Sequence, residues 1–196
     1  INLFLKNITI KKIISFEASP LNFKFLKENK ENYLKKFPDT EIIIENLALG
    51  SENKEINFRQ FVESSSSTLK NINEESKYFK RKFNLLNFFN KKKIYETFKV
   101  KIETLNNYME LNNLDKISFL KIDTEGYEFE ILQGLKKKIQ LVDTIMFEHH
   151  YDNMIIKNYT FTDINSLLKE NNFNQIYKSK MPFRKTFEYI YQRSVL

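Results

Sequence analysis

The sequence predicts an α/β fold: a mostly parallel sheet with crossover helices, closed at its carboxyl-terminal edge by an antiparallel hairpin. Three observations carry that expectation. The amino-terminal quarter reads helix end, strand, helix, strand, an order that needs a crossover and so parallel strands. Residues 116–135, KISFLKIDTEGYEFEILQGL, change period halfway. Ile117, Phe119, Leu120 and Ile122 make a buried-strand run, and Tyr127, Ile131, Leu132, Leu135 and Ile139 then mark one helix face. Finally, the apolar runs 173–178 and 187–191 lie close enough in sequence to pair antiparallel.

The remaining elements follow from local signals. Residues 1–7 read as the tail of a helix, and 12–16 (KIISF) as a short strand ending at Glu17. Ser19-Pro20 is a helix start, with Ser as N-cap and Pro in the first turn. Leu21, Phe25 and Leu26 open that helix's apolar face, and the helix must end before Pro38. Residues 41–49 (EIIIENLAL) read as one strand, closed by Gly50. Alternation at Ile56 and Phe58 predicts a hairpin-like addition at the sheet edge, and 95–103 another strand. Thr104 caps a short helix, 141–148 is a buried strand, and Thr162 is expected to cap a helix carrying Ile164, Leu167 and Leu168. Residues 64–93 show no single period and read as an irregular insertion. Its Phe79, Phe83, Leu86, Phe88 and Phe89 face a core or a substrate.

Composition narrows the class. At 196 residues the chain has room for a single domain with a real core, spanning 1–196. Phe (19) and Tyr (10) are abundant and Trp is absent, so phenyl rings must carry much of the packing. The net charge of +7 permits an anionic partner, but the basic residues are dispersed in short knots. Solvated lysine-rich faces are the simpler reading, and nucleic acid is not expected as the partner. With no Cys, thiolate metal sites and cysteine nucleophiles are excluded, which fits a reducing, cytoplasmic setting. No apolar run approaches the roughly 18 residues of a membrane span. The sequence does not determine an oligomeric state.

The chemistry-bearing residues cluster at predicted strand ends, where ligands bind in open parallel sheets. Asp123 and Glu125 bracket a Thr and precede Gly126. If the backbone stays extended, residues two apart point the same way. One cap would need only one carboxylate, so the pair favours a functional role. Glu17, also at a strand end, reads equally well as a ribose-binding carboxylate or as a helix-start carboxylate favoured by the dipole. Glu148 and His150 alternate onto one face, His149 onto the other, and His150 can act as a base near neutral pH. Glu148, His150 and Asp152 offer imidazole and carboxylate ligands, but their spacing matches no metal motif, and no metal is expected. The three glycines build no phosphate loop.

Together these segments resemble the FkbM family of S-adenosylmethionine-dependent methyltransferases. FEASP (16–20), ENLALG (45–50), VKIETLNNY (100–108), FLKIDTEGYEFEILQG (119–134) and FEHH (147–150) carry the resemblance, in family order, over roughly residues 12–151. It implies a Rossmann-like class I methyltransferase sheet that binds S-adenosyl-L-methionine. Glu17 and Ala18 would hold the ribose, Asn46 and Ala48 would sit near the adenine, and Asp123 near the methionine end. It implies O-methylation of a hydroxyl on a sugar or small metabolite, with a small-molecule or glycan acceptor. The catalytic group is then Asp123, Glu125, Glu148 and His150, with His150 or Asp123 as base and the two glutamates orienting the acceptor. The family's first strand and Gly-rich turn have no counterpart, so an amino-terminally truncated domain is expected, with weak cofactor binding and an open position in mid-sheet. The competing expectations are a non-catalytic basic binding module on a degenerate methyltransferase fold and a nucleic-acid methyltransferase.

Overall fold

The computed structural model describes residues 1–61, 69–70, 73, 75–76, 80, 95–152, 155–182 and 184–194. Most of the irregular stretch at 64–93, including all five of its apolar residues named above, lies outside the described residues. Helix α1 (Asn2–Asn7) precedes strand β1 (Lys12–Phe16), which pairs in parallel with β2 (Glu41–Glu45). Helix α2 (Pro20–Lys36) makes the crossover between them, and its start is the predicted one: Asn22 N donates to Ser19 Oγ at 3.1 Å. Of its predicted face only Leu26 is packed. Leu21 and Phe25 are 56% and 63% exposed, while Phe23, Leu26, Tyr33 and Leu34, at helical spacing, are the half-covered positions.

The predicted strand at 41–49 splits. After β2 the chain turns at Asn46, whose side chain donates to Glu17 O at 2.9 Å, and resumes as β3 (Ala48–Leu49) in a different sheet. That sheet has the order β3-β5-β4, with β4 (Lys54–Phe61) antiparallel and β3 parallel to β5 (Tyr95–Glu103). Helix α3 (Leu105–Leu111) follows, capped by Thr104, whose Oγ1 accepts from Asn107 N at 3.1 Å.

The third sheet runs β6-β7-β9-β8. Strand β6 (Ile117–Ile122) is parallel to β7 (Val142–His150), and β9 (Thr186–Arg193) lies antiparallel between β7 and β8 (Phe173–Lys180). The expected terminal hairpin is therefore present, with its second strand inserted beside β7. Helix α4 (Glu128–Leu135) continues into a 3₁₀ turn (Lys136–Leu141) and contacts β3 and β7. Helix α5 (Phe161–Glu170) covers β8. Its cap is Thr160, not Thr162: Thr160 and Asp163 bond reciprocally in a capping box, and Thr162 falls inside the first turn.

One core joins these layers. Tyr127, Ile131, Leu132, Leu135 and Ile139, the predicted face, are all buried against Ile102, Val142, Ile145 and Phe147. The abundance of rings is used as expected: Phe147 stacks on Tyr189 at 5.4 Å and on Tyr191 at 5.8 Å between ring centres. Among the described residues no helix is long and apolar enough to cross a membrane.

Candidate functional site

The turn after β6 carries Asp123 and Glu125, but the backbone does not stay extended there. Glu125 has φ +49° and Gly126 φ +95°, so two consecutive residues adopt the left-handed conformation. Gly126 has a second constraint, since an added Cβ would lie 2.6 Å from the Ile155 side chain. The two carboxylates therefore go different ways. Asp123 is exposed and pairs with Lys121 at 2.5 Å. Glu125 turns inward, placing Oε2 3.2 Å from His150 Nε2.

His150 ends β7 and is buried, with Nδ1 3.0 Å from Thr186 Oγ1 and 3.9 Å from Asp152 Oδ2. Burial pulls its pKa down, but Asp152, Glu125 and Glu128 together outweigh burial and raise it above the ordinary histidine value. His149, on the opposite face as alternation predicted, meets Tyr151 edge-on at 4.7 Å and Phe161 at 5.8 Å. Burial, with the Lys157 and His150 charges, holds its pKa down to about 3, so it stays a neutral imidazole.

Glu148 shares the His150 face. Its pKa is raised, first by burial and then by the Asp123 carboxylate, with Glu188 adding to the effect from the directly opposite position on β9. Glu148 thus feels the charge of both Asp123 and Glu188. Among the described residues no group of three or more His, Asp or Glu is arranged to hold a metal.

Glu17, Ala18 and Asn46 follow the carboxyl ends of β1 and β2, and Ala48 opens β3 two residues after Asn46. Glu17 Oε1 accepts from Ser19 N at 2.8 Å, and its main chain bonds both Glu45 O through N and Asn46 Nδ2 through O. Burial raises its pKa, against the pull of the Ser19 and Asn22 hydrogen bonds. Ala48 is buried, and Ala18 packs against the core. Tyr108, from α3, reaches the same end of the sheet: its hydroxyl donates to Glu45 Oε1 at 2.9 Å and its ring meets Phe16 edge-on at 4.7 Å. An open polar cleft of about 390 Å³ lies elsewhere, between residues 51–53, the start of α3 and Lys136, and includes none of the predicted site residues.

Several polar residues behind the turn were not among the predicted ones. Glu128 is wholly buried, and its carboxylate accepts from Gly126 N at 2.8 Å and from the Tyr159 hydroxyl. Lys70 pairs with Glu130, donates to Asn158 Oδ1 at 2.9 Å, and lies over the Tyr127 and Tyr159 rings. A signal for Glu128 was available. It stands three and four residues before Ile131 and Leu132, which puts a charge on the apolar stripe of the helix. Tyr159 and Lys70 left no such sign, because each acts across a long sequence gap.

The sequence matches the family model described as "Methyltransferase FkbM domain" over residues 3–174. No curated protein matches it. Among solved structures it is similar to methyltransferase FkbM from Methylobacillus flagellatus KT, with a TM-score of 0.56 and 12% identity. That alignment covers 93% of this chain and 36% of the other, so the chain spans about a third of that protein's length. The likeness shows a Rossmann-like methyltransferase fold. With the match covering most of its length, the chain belongs to the FkbM methyltransferase family.

Proposed function

We propose that the protein is an S-adenosylmethionine-dependent O-methyltransferase acting on a hydroxyl of a sugar or other small metabolite. Family membership supports the reaction class. The observation that carries the site is the meeting of the β6 and β7 ends, where Glu125 and His150 pair at 3.2 Å and burial, then the Asp123 carboxylate, raises the pKa of Glu148.

Glu17 and Ala18 would take the ribose, Asn46 and Ala48 the adenine side, and Asp123 the methionine end. The donor set fits: a carboxylate withdrawn from water, as Glu17 is, gains most from hydroxyl donors brought to it. When bound, S-adenosylmethionine supplies an electrophilic methyl on a sulfonium that departs as a neutral thioether. The chain's own residues then have to align the acceptor oxygen and remove its proton. Asp123, exposed at the rim, takes that proton in this reading. Glu148, whose pKa is raised by burial and then by its carboxylate neighbours, holds the acceptor hydroxyl. His150, engaged on both ring nitrogens, keeps Glu125 in place to orient the acceptor.

The test is methyl transfer from labelled S-adenosylmethionine to a panel of sugars and hydroxylated metabolites. Asp123→Ala, which removes both the proton acceptor and the group at the methionine end, is expected to abolish turnover and to weaken cofactor binding at least tenfold, whereas Glu17→Ala is expected to weaken cofactor binding at least tenfold with little effect on the rate at saturating cofactor. An Asp123→Ala protein with an unchanged rate would remove the proton-acceptor assignment. A protein that neither binds the cofactor nor transfers methyl would remove the proposal.

A further inference from the structure

The turn that carries Asp123 and Glu125 is gripped from behind by a closed ring of side chains. Starting from the turn, Gly126 N and Thr124 Oγ1 donate to Glu128 Oε1, at 2.8 and 3.4 Å. Glu128 Oε2 accepts from the Tyr159 hydroxyl. Two residues before Tyr159, the Lys157 ammonium donates to the main-chain oxygen of His150. The His150 ring returns to the turn through Glu125, at 3.2 Å. Each link joins a different segment: the turn, the first residue of α4, the 155–160 stretch and the end of β7.

The energetics make Glu128 the keystone of this ring. A carboxylate with no exposed surface is costly unless each oxygen is hydrogen-bonded, and Gly126, Thr124 and Tyr159 satisfy both oxygens of Glu128. In return it holds a backbone that would not hold itself. A left-handed non-glycine residue such as Glu125 is strained, and such strain persists only where the surroundings over-determine it. Glu128 fixes the amide immediately after Glu125, and His150 fixes the Glu125 side chain.

We infer that Glu128 is a positioning residue for the site: through its bonds to Gly126 and Tyr159 it sets how Asp123 and Glu125 are presented at the ends of β6 and β7. This rests on the reading of that rim as the methyl-transfer site, but its test separates the two. In the intact protein, amide exchange at Gly126 and calorimetric affinity for S-adenosylmethionine are measured for wild type, Glu128→Gln, Glu128→Ala and Tyr159→Phe. Glu128→Gln retains an acceptor for Gly126 N–H and is expected to keep Gly126 protection and cofactor affinity within about threefold of wild type. Glu128→Ala is expected to lose Gly126 protection by more than about 100-fold with β7 protection unchanged, and to bind the cofactor at least tenfold more weakly. Tyr159→Phe, which keeps the ring and removes only the hydroxyl, is expected to give an intermediate loss of Gly126 protection and serves if Glu128→Ala does not fold.

A double-mutant cycle supplies the readout that a merely structural role would not move. If Glu128 acts through the turn, Glu128→Ala costs less than about threefold in affinity once Asp123 is already Ala. Equal losses in both backgrounds would overturn the inference. So would unchanged Gly126 protection in Glu128→Ala or Tyr159→Phe, or a uniform loss of protection across β7. Should wild type fail to bind S-adenosylmethionine, the proposed function falls, and Gly126 exchange alone still decides whether Glu128 holds the turn.

Discussion

Replacing His149 by Phe isolates one buried imidazole as a source of acid sensitivity. His149 is 3% exposed, sits among Tyr151, Tyr159 and Phe161, and its Nδ1 has no hydrogen-bond partner among the described residues. Its pKa is pushed down to about 3 by burial first, and then by the positive charges of Lys157 and His150. In the unfolded chain the same ring titrates near 6.5, at about 1.4 kcal/mol per unit. Above that value both states are neutral and the full stability is present. As pH falls below it, only the unfolded state takes up the proton, so stability is lost. By pH 5 the loss is about 2 kcal/mol, a figure set by the unfolded value as long as the folded one stays below about 4. His150 works in the opposite sense: its raised pKa gives a contribution fully present below about 6.5 and lost as pH rises through its folded value. That contribution is common to both proteins and cancels in the comparison. Urea unfolding at pH 7 and pH 5 is the assay. His149→Phe is expected within about 1 kcal/mol of wild type at pH 7, since it removes an unsatisfied polar atom and keeps a ring. At pH 5 it is expected to be about 2 kcal/mol more stable, or roughly 4–8 °C in Tm. Parallel stability curves for the two proteins between pH 7 and 5 would refute the reasoning.

Gly134→Ala should destabilise, although helix propensity alone favours Ala over Gly by about 1 kcal/mol. The new Cβ would lie 2.0 Å from Gly50 O, a backbone atom that no rotamer change can move away, so a net loss of about 2 kcal/mol or more is expected in thermal unfolding. A variant as stable as wild type would show that α4 and residues 50–51 are not in close contact. Thr160→Ala should cost about 1 kcal/mol through the lost capping box, and Thr162→Ala close to nothing. Equal effects at the two threonines, read from denaturation midpoints, would place the helix start elsewhere.

Much of the fold was legible because its signals are local. Ser19-Pro20, Thr104 and the period change at Asp123 each depend on residues within one turn, and the structure starts helices α2, α3 and α4 at or within a few residues of them. The errors have a shared origin. Reading 41–49 as one strand missed a turn at Asn46, which is held by a hydrogen bond from Asn46 to Glu17, 29 residues away. Thr160 and Thr162 are both plausible caps, and the reciprocal bond to Asp163 selects the first. In the site, alternation correctly separated His149 from His150. The expectation that Asp123 and Glu125 point the same way required an extended backbone, and the left-handed turn at 125–126 turned them apart.

The sequence by itself determined that strands and helices alternate, that carboxylates stand at strand ends, and that the central motif is a strand, a polar turn and a helix. These depend on periodicity and on short-range steric and capping rules, which act within a few residues. Only the tertiary structure decided that Glu125 leans on His150, that Glu128 is sealed beneath the turn with Tyr159, and that α4 lies against the backbone of Gly50. Each of these is a contact between segments far apart in the chain. In each, both partners leave water together and the contact they make has to offset that cost, and no single stretch of sequence carries that information.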